Sequence, residues 1–172
     1  MKVILLAVSL VLFTSPAVWA CLCVTEKISE KEKIAKDYAQ AAVVFTGRVV
    51  RAESIMRADT AHFRSRHSDR DTVLTSQHAG VRYTFAVSRL LKGSGVGPEV
   101  FVTSDNTSCG VALAVDSERL MYAYSVDVEP NLRGALRRVA PYYATDVCSR
   151  HQELRYTKAA ERRQLRQLAK RA

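Results

Sequence analysis

Four cysteines carry most of the chemistry open to this sequence: Cys21, Cys23, Cys109 and Cys148. The first two flank Leu22, and the other two lie far along the chain. The segment before them decides what they do. Met1-Lys2 is followed by an apolar run from Val3 to Phe13 and then by Thr14-Ser15-Pro16-Ala17-Val18-Trp19-Ala20. One positive charge, a short apolar stretch and a small residue at Ala20 describe a secretory leader; a membrane helix needs ~20 apolar residues. In an exported chain four cysteines read as two disulfides, and sequence alone leaves three pairings open. Cleavage after Ala20 makes Cys21 the first residue and gives it a free amine beside its own carbonyl. With a reference pKa of ~7.7–8.0, such an amine is easily made neutral and is then a good nitrogen ligand for a metal with an open position. Val18-Trp19-Ala20-Cys21 also partly resembles a lipoprotein signal, with lipid on Cys21. Trp19 fits that alternative badly, and acylating one of four cysteines leaves an odd number.

Other chemistry is weaker. His62, His67, His78 and His151 match no metal-ligand spacing and read as solvated loop residues. Asp105, Asp116 and His151 are too scattered for a catalytic frame, and no Ser-His-Asp or Cys-His pattern is present, so the chain is not read as an enzyme. No cofactor is expected. The glycines of Gly93-Ser94-Gly95-Val96-Gly97 lack the Lys-Ser/Thr ending of a phosphate loop and read as a turn. Asn106-Thr107-Ser108 fits the glycosylation acceptor pattern and equally an ordinary turn.

The elements that must position the cysteines can be taken in order. Ser29 and Glu32 have the spacing of a capping box, and Ile34, Ala35, Tyr38 and Ala41 or Ala42 follow at helical period, which predicts a helix over 29–40. Residues 43–50 form a first strand, with Val43, Phe45 and Val49 on one face and Gly47 at a bend or bulge. Residues 51–80 are polar and read as a long hairpin excursion or a mobile loop. Residues 81–88 alternate cleanly, with Val81, Tyr83, Phe85 and Val87 inward and Thr84 outward. Strands are expected at 100–103, 111–115 and 119–126, and a connecting loop at 127–141. Residues 158–170 read as a terminal helix with a narrow apolar stripe of Leu165, Leu168 and Ala172 among Arg162, Arg163, Arg166, Lys170 and Arg171. It either packs by one edge or anchors the chain to an anionic surface.

Five short strands with flanking helices suggest a mainly β fold, a closed antiparallel barrel of the five-stranded OB type with Greek-key connections. Its expected core holds Val43, Phe45, Val49, Tyr83, Phe85, Val87, Val100, Val102, Leu120, Tyr122 and Tyr124, with the two faces interchangeable. The domain would span 21–150 after a leader at 1–20, with the basic helix at 151–172 packed on it or extending from it.

An ordered set of motifs resembles the netrin-like module family, and within it the inhibitory domain of tissue inhibitors of metalloproteinases. It comprises Cys21-Leu22-Cys23-Val24, the helix leading into 42–50, Tyr83-Thr84-Phe85-Ala86-Val87 with Leu91-Lys92-Gly93, Ser108-Cys109-Gly110, the strand at 120–124 and Cys148-Ser149-Arg150. The resemblance implies disulfides Cys21–Cys109 and Cys23–Cys148. It implies that the Cys21 amine and carbonyl chelate the zinc of a target protease, that Leu22 enters its specificity pocket, and that Cys23, Val24, Thr107 and Ser108 complete the contact. The sequence departs from that family in having no cysteines for a third disulfide and Thr25 where a proline follows the opening motif.

Charge bears on partners. The formal net charge of the 172 residues is +9, and Lys2 is the only charged side chain in the leader. A basic exported protein is drawn to anionic glycans or envelope surfaces, which makes a non-inhibitory binding module the alternative to a protease inhibitor. Export removes nucleic acid as the usual target. The chain is expected to be secreted, extracellular or periplasmic, and monomeric.

Overall fold

A computed structural model describes Cys21, Cys23 and residues 26–57, 61–64, 71–74, 77–130 and 135–171. The leader at 1–20, together with Leu22, Val24, Thr25 and His67, lies outside the described residues. Helix α1 (Glu30–Gln40) starts where the sequence says it should. Ser29 Oγ accepts the Glu32 N–H at 3.3 Å, and Glu32 Oε2 accepts the Ser29 N–H at 2.9 Å. Ile34 and Tyr38 form its buried edge. At its other end Lys92 Nζ donates to the carbonyls of Tyr38 and Ala39 at 2.7 and 2.8 Å, placing a cation on the negative end of the helix dipole.

The strands are β1 (Val43–Arg57), β2 (Ala61–Arg64), β3 (Asp71–Leu74), β4 (Gln77–Lys92), β5 (Glu99–Asp105), β6 (Glu118–Pro130), β7 (Leu136–Ala144) and β8 (His151–Glu153). A 3₁₀ turn at Leu154–Tyr156 leads into α2 (Ala159–Ala169). Within the polar excursion at 51–80, the described residues are strands: β1 and β4 pair out to Arg57↔Gln77, and β2 and β3, which lie between them in sequence, pair with each other as a small separate sheet. His62 and His78 therefore sit in strands, not in solvated loops, and so does His151 on β8.

One six-stranded sheet runs β1-β4-β5-β7-β6-β8, and β1 also pairs with β6, so the sheet closes on itself in a ring. Closure depends on a parallel contact, Val102↔Tyr143 and Thr103↔Ala144, where an all-antiparallel sheet was expected. The register of β1 against β4 shifts at Gly47, the expected bulge. A Cβ there would lie 2.6 Å from the Ala86 carbonyl oxygen, so the close approach requires glycine.

Burial departs from the simple alternation in several places. Val43, Phe45, Val49, Tyr83, Phe85, Val100 and Val102 fill the ring interior together with Met121 and Ala123. Leu120 and Tyr122 belong instead to a second cluster outside the ring, with Val44, Ile34, Tyr38 and Leu165. The two helices cover that outer face, so residues 120–123 of β6 are buried on both sides and the period-two pattern of burial is lost there. Val87 only borders the inner cluster, and Tyr124 is exposed. Thr84, expected outward in solvent, is buried.

Two element assignments differ as well. Residues 111–115 are not a strand. Their amides are taken by side chains: Val111 N–H donates to Ser104 Oγ at 2.7 Å and Leu113 N–H to the Tyr83 hydroxyl at 3.2 Å. Residues 127–130 and 136–141, expected in a connecting loop, are strand, because β6 runs on to Pro130 and β7 pairs back on it. Pro141, which has no N–H to give, lies where that pairing skips from Val128↔Arg138 to Val126↔Tyr142. Helix α2 matches the expected terminal helix and packs by the edge that carries Leu165 and Glu161.

Candidate functional site at the opening cysteines

The parallel pairing of β5 and β7 creates the site. Parallel strands send their C-terminal ends the same way, so the loop after Asp105 and the loop after Ala144 emerge side by side. Thr145 N–H donates to the Thr103 carbonyl and Val147 N–H to the Cys109 carbonyl, each at 2.9 Å. Cys109 and Cys148 sit in these adjoining loops. Two cysteines one residue apart, as Cys21 and Cys23 are, can then reach one loop each.

The bridges formed are Cys21–Cys109 and Cys23–Cys148, with Cα–Cα distances of 5.2 and 5.3 Å, and no described cysteine is free. The two bridges touch: Cys21 Sγ and Cys148 Sγ are 3.9 Å apart. Both are part of disulfides, so this is a van der Waals contact. The pairing is the one implied by the family resemblance.

Each loop is fixed by an aspartate that closes a turn. Asp105 Oδ1 accepts the Thr107 N–H at 3.1 Å and the Thr107 hydroxyl at 2.8 Å, and Thr107 Oγ1 accepts the Cys109 N–H at 3.1 Å. Asp146 Oδ1 accepts the Cys148 and Ser149 N–H groups at 2.9 and 2.7 Å. Side chains capping local N–H groups in this way are the usual reason for Asp in turns. Gly110 follows for a steric reason: a Cβ would lie 2.2 Å from the Asp105 carbonyl oxygen.

Cys21 is half-buried, and its backbone nitrogen and oxygen make no hydrogen bond with the described residues. Thr107 and Ser108 are exposed beside Cys109. The site residues Cys21, Cys23, Thr107 and Ser108 therefore cluster at one end of the ring, whereas Leu22 and Val24 lie outside the described residues. A groove of about 890 Å³ runs away from Thr107 along Asp105, Thr103, Phe101 and Tyr124. The Tyr124 hydroxyl donates to Asp146 Oδ2 at 3.2 Å. Burial, and then the Asp146 charge, push its pKa up to about 12.

Sequence reasoning missed the group that anchors the Cys148 loop from behind. Arg150 forms ion pairs with Glu161 at 2.6 Å, with Glu30, and with Asp37 at 3.5 Å, joining both helices to that loop. Glu161 is buried and also accepts from Gln152 at 2.7 Å and from the Tyr122 hydroxyl at 3.3 Å. Burial, followed by the Glu161 charge, drives the Tyr122 hydroxyl far above the usual tyrosine range. The hydrogen bond from Arg150 holds the Glu30 carboxyl below the usual range. An acid on the inward edge of an otherwise basic helix was the only available signal.

Asp116 and His151 join no constellation with Asp105. Asp116 occupies a turn with φ 65°, where its N–H donates to the Val49 carbonyl at 2.7 Å. No group of three or more potential metal ligands occurs among the described residues. No described helix is long and apolar enough to cross a membrane. No protein-family model matches the chain, and no curated protein matches it either.

Proposed function

We propose that this chain is a secreted, single-domain netrin-like protein of the tissue-inhibitor type, which inhibits a zinc metalloprotease through the backbone of Cys21. In this reading the leader is cleaved after Ala20. The ring of five strands closed by β1–β6 pairing is an OB-like barrel: three successive antiparallel strands, then a parallel step to the last strand of the ring. The observation that carries the proposal is the double tether of Cys21 and Cys23 to two loops that are themselves tied together, with the Cys21 nitrogen and oxygen unclaimed by the described residues.

A catalytic zinc keeps one position for water. The neutral Cys21 amine and its carbonyl oxygen would occupy that position as a chelate and expel the nucleophile. Leu22 would enter the adjoining apolar pocket of the protease, with Val24, Thr107 and Ser108 against the cleft. Because the disulfides fix the wedge beforehand, little ordering entropy is lost on binding. The purified, processed protein is expected to inhibit zinc proteases and to leave serine and cysteine proteases untouched, as measured on a panel of each. Inhibition across all classes, or none among zinc enzymes, would count against it.

The basic helix favours a second reading, a non-inhibitory binding module for an anionic polymer. Arg162, Arg163, Arg166, Lys170 and Arg171 are all exposed on or just after α2. That reading predicts binding that weakens with salt and vanishes when these residues are neutralised.

A further inference from the structure

Away from the cysteines, α2 does not seal the sheet beneath it. A cavity of about 180 Å³ remains between the helix, the 3₁₀ turn and strands β1, β4 and β6. Its floor is Leu91, Leu120, Leu154 and Leu165, one end of the outer apolar cluster. Its rim carries Arg89, Arg162 and Arg166, and no Asp or Glu lines it.

We propose that this cavity binds an amphiphile with a phosphate or carboxylate head and an aliphatic chain. The three guanidinium groups hold the head, and the leucines receive the first carbons of the chain. Arg162 is already positioned: its Nε and Nη2 donate to the Thr157 carbonyl at 3.1 and 2.9 Å, which fixes the guanidinium at the rim. The Arg89 and Arg166 side chains have neither an ion pair nor a hydrogen bond among the described residues, so their guanidinium donors are available. Guanidinium forks match phosphate and carboxylate oxygens, and three like charges around one opening favour an anion between them.

The floor distinguishes an amphiphile from a glycan. Leu120 and Leu165 are each 1 % exposed and offer no hydrogen bond. A sugar pressed on them would lose water contacts without replacement, whereas methylene groups gain by leaving water. At roughly 30 Å³ for each water-sized group, the space takes on the order of six such groups, enough for the start of a chain and not for all of it. The site does not depend on the protease reading.

Isothermal titration of the disulfide-bonded protein tests this with octyl phosphate and inorganic phosphate as probes. Octyl phosphate should bind at least about tenfold tighter than inorganic phosphate, since several methylenes leave water. The Arg89→Gln/Arg166→Gln variant should weaken octyl phosphate about tenfold or more, given two lost charge-assisted contacts. Thr46→Leu, which fills the cavity from β1 without altering charge, should abolish binding while the melting temperature shows the fold intact. Phosphatidylcholine vesicles with and without phosphatidylglycerol separate the sources: capture only by the anionic vesicles indicates a bilayer lipid, and octyl phosphate binding without capture indicates a free one. Equal affinity for inorganic and octyl phosphate, or unchanged binding by either variant, overturns the proposal. So does binding of a sulfated polysaccharide that the arginine variant loses while octyl phosphate never binds.

Discussion

The backbone N–H of Val147 donates to the carbonyl oxygen of Cys109 at 2.9 Å, which joins the loops that hold the first two cysteines. Each loop thus has its own disulfide to the opening segment, its own aspartate-closed turn, and this bond to its neighbour. The two bridges share one scaffold while remaining separate covalent links. Replacing Cys23 and Cys148 together by serine should lower stability by about 2–4 kcal/mol through the freed unfolded chain. Cys21–Cys109 should still form. Urea denaturation and the mass of the intact protein under non-reducing conditions check both statements.

Arg150 should be the most sensitive single side chain outside the apolar core. Arg150→Met leaves Glu161 buried without its cation, and breaking a buried pair from one side costs about 3–5 kcal/mol. Pairing it with Glu161→Met removes the stranded charge, so the double variant should be more stable than the single one. Denaturant midpoints of the two variants decide the matter.

A third change reaches the site through the 111–115 segment. Tyr83 donates its hydroxyl to the Val111 carbonyl at 3.1 Å and accepts the Leu113 N–H at 3.2 Å. Tyr83→Phe keeps the ring and strands both backbone groups, for a cost of about 1–3 kcal/mol. Amide exchange at Leu113 should accelerate more than exchange within β4.

Stability should also depend on pH through His151. Burial first, and then the Arg119 charge, lower its pKa below the ordinary histidine value, against a smaller opposing pull from Asp146. Its Nδ1 is buried without a hydrogen-bond partner among the described residues. The unfolded chain therefore binds the proton first as pH falls. The stabilisation is complete above about pH 6.5 and is lost as pH falls from there through the folded-state pKa. Glu30, held low by Arg150, adds a separate loss below the ordinary carboxylate range. Thermal melts across this range should show the first slope reduced in His151→Gln and the second one unchanged.

Local chemistry was legible in the sequence, and the pairing of distant strands was not, although the family resemblance implied the two long-range disulfides. Ser29 and Glu32 marked the start of α1 because both halves of the capping box lie within four residues. The alternation of 81–88 marked β4 because Val81, Tyr83, Phe85 and Val87 meet the inner cluster, although Thr84 between them is buried too. Leu120 and Tyr122 face the helices, and Met121 and Ala123 the ring interior; with both faces of β6 buried there, alternation alone does not say which is which. Strand β7 was hidden by Pro141 and by its mostly exposed side chains, since the partner that makes it a strand is the extension of β6. Val111 to Val115 alternates like a strand, but Ser104 and Tyr83 take its amides. Among the site residues, Cys21, Cys23, Thr107 and Ser108 were named in advance and come together. Asp105, Asp146 and Arg150, which hold them in place, have partners that only the folded chain brings near.

The central claim is that the first amine and carbonyl of the processed chain are the inhibitory groups. Inhibition of a zinc protease by the processed protein, compared with a form carrying one extra alanine before Cys21, addresses it most directly. The extension moves the amine off the metal and leaves both disulfides and the ring untouched. A loss of about a hundredfold or more in the inhibition constant is the predicted result, the scale of removing a dominant contact from an interface. Equal inhibition by the two forms would contradict it.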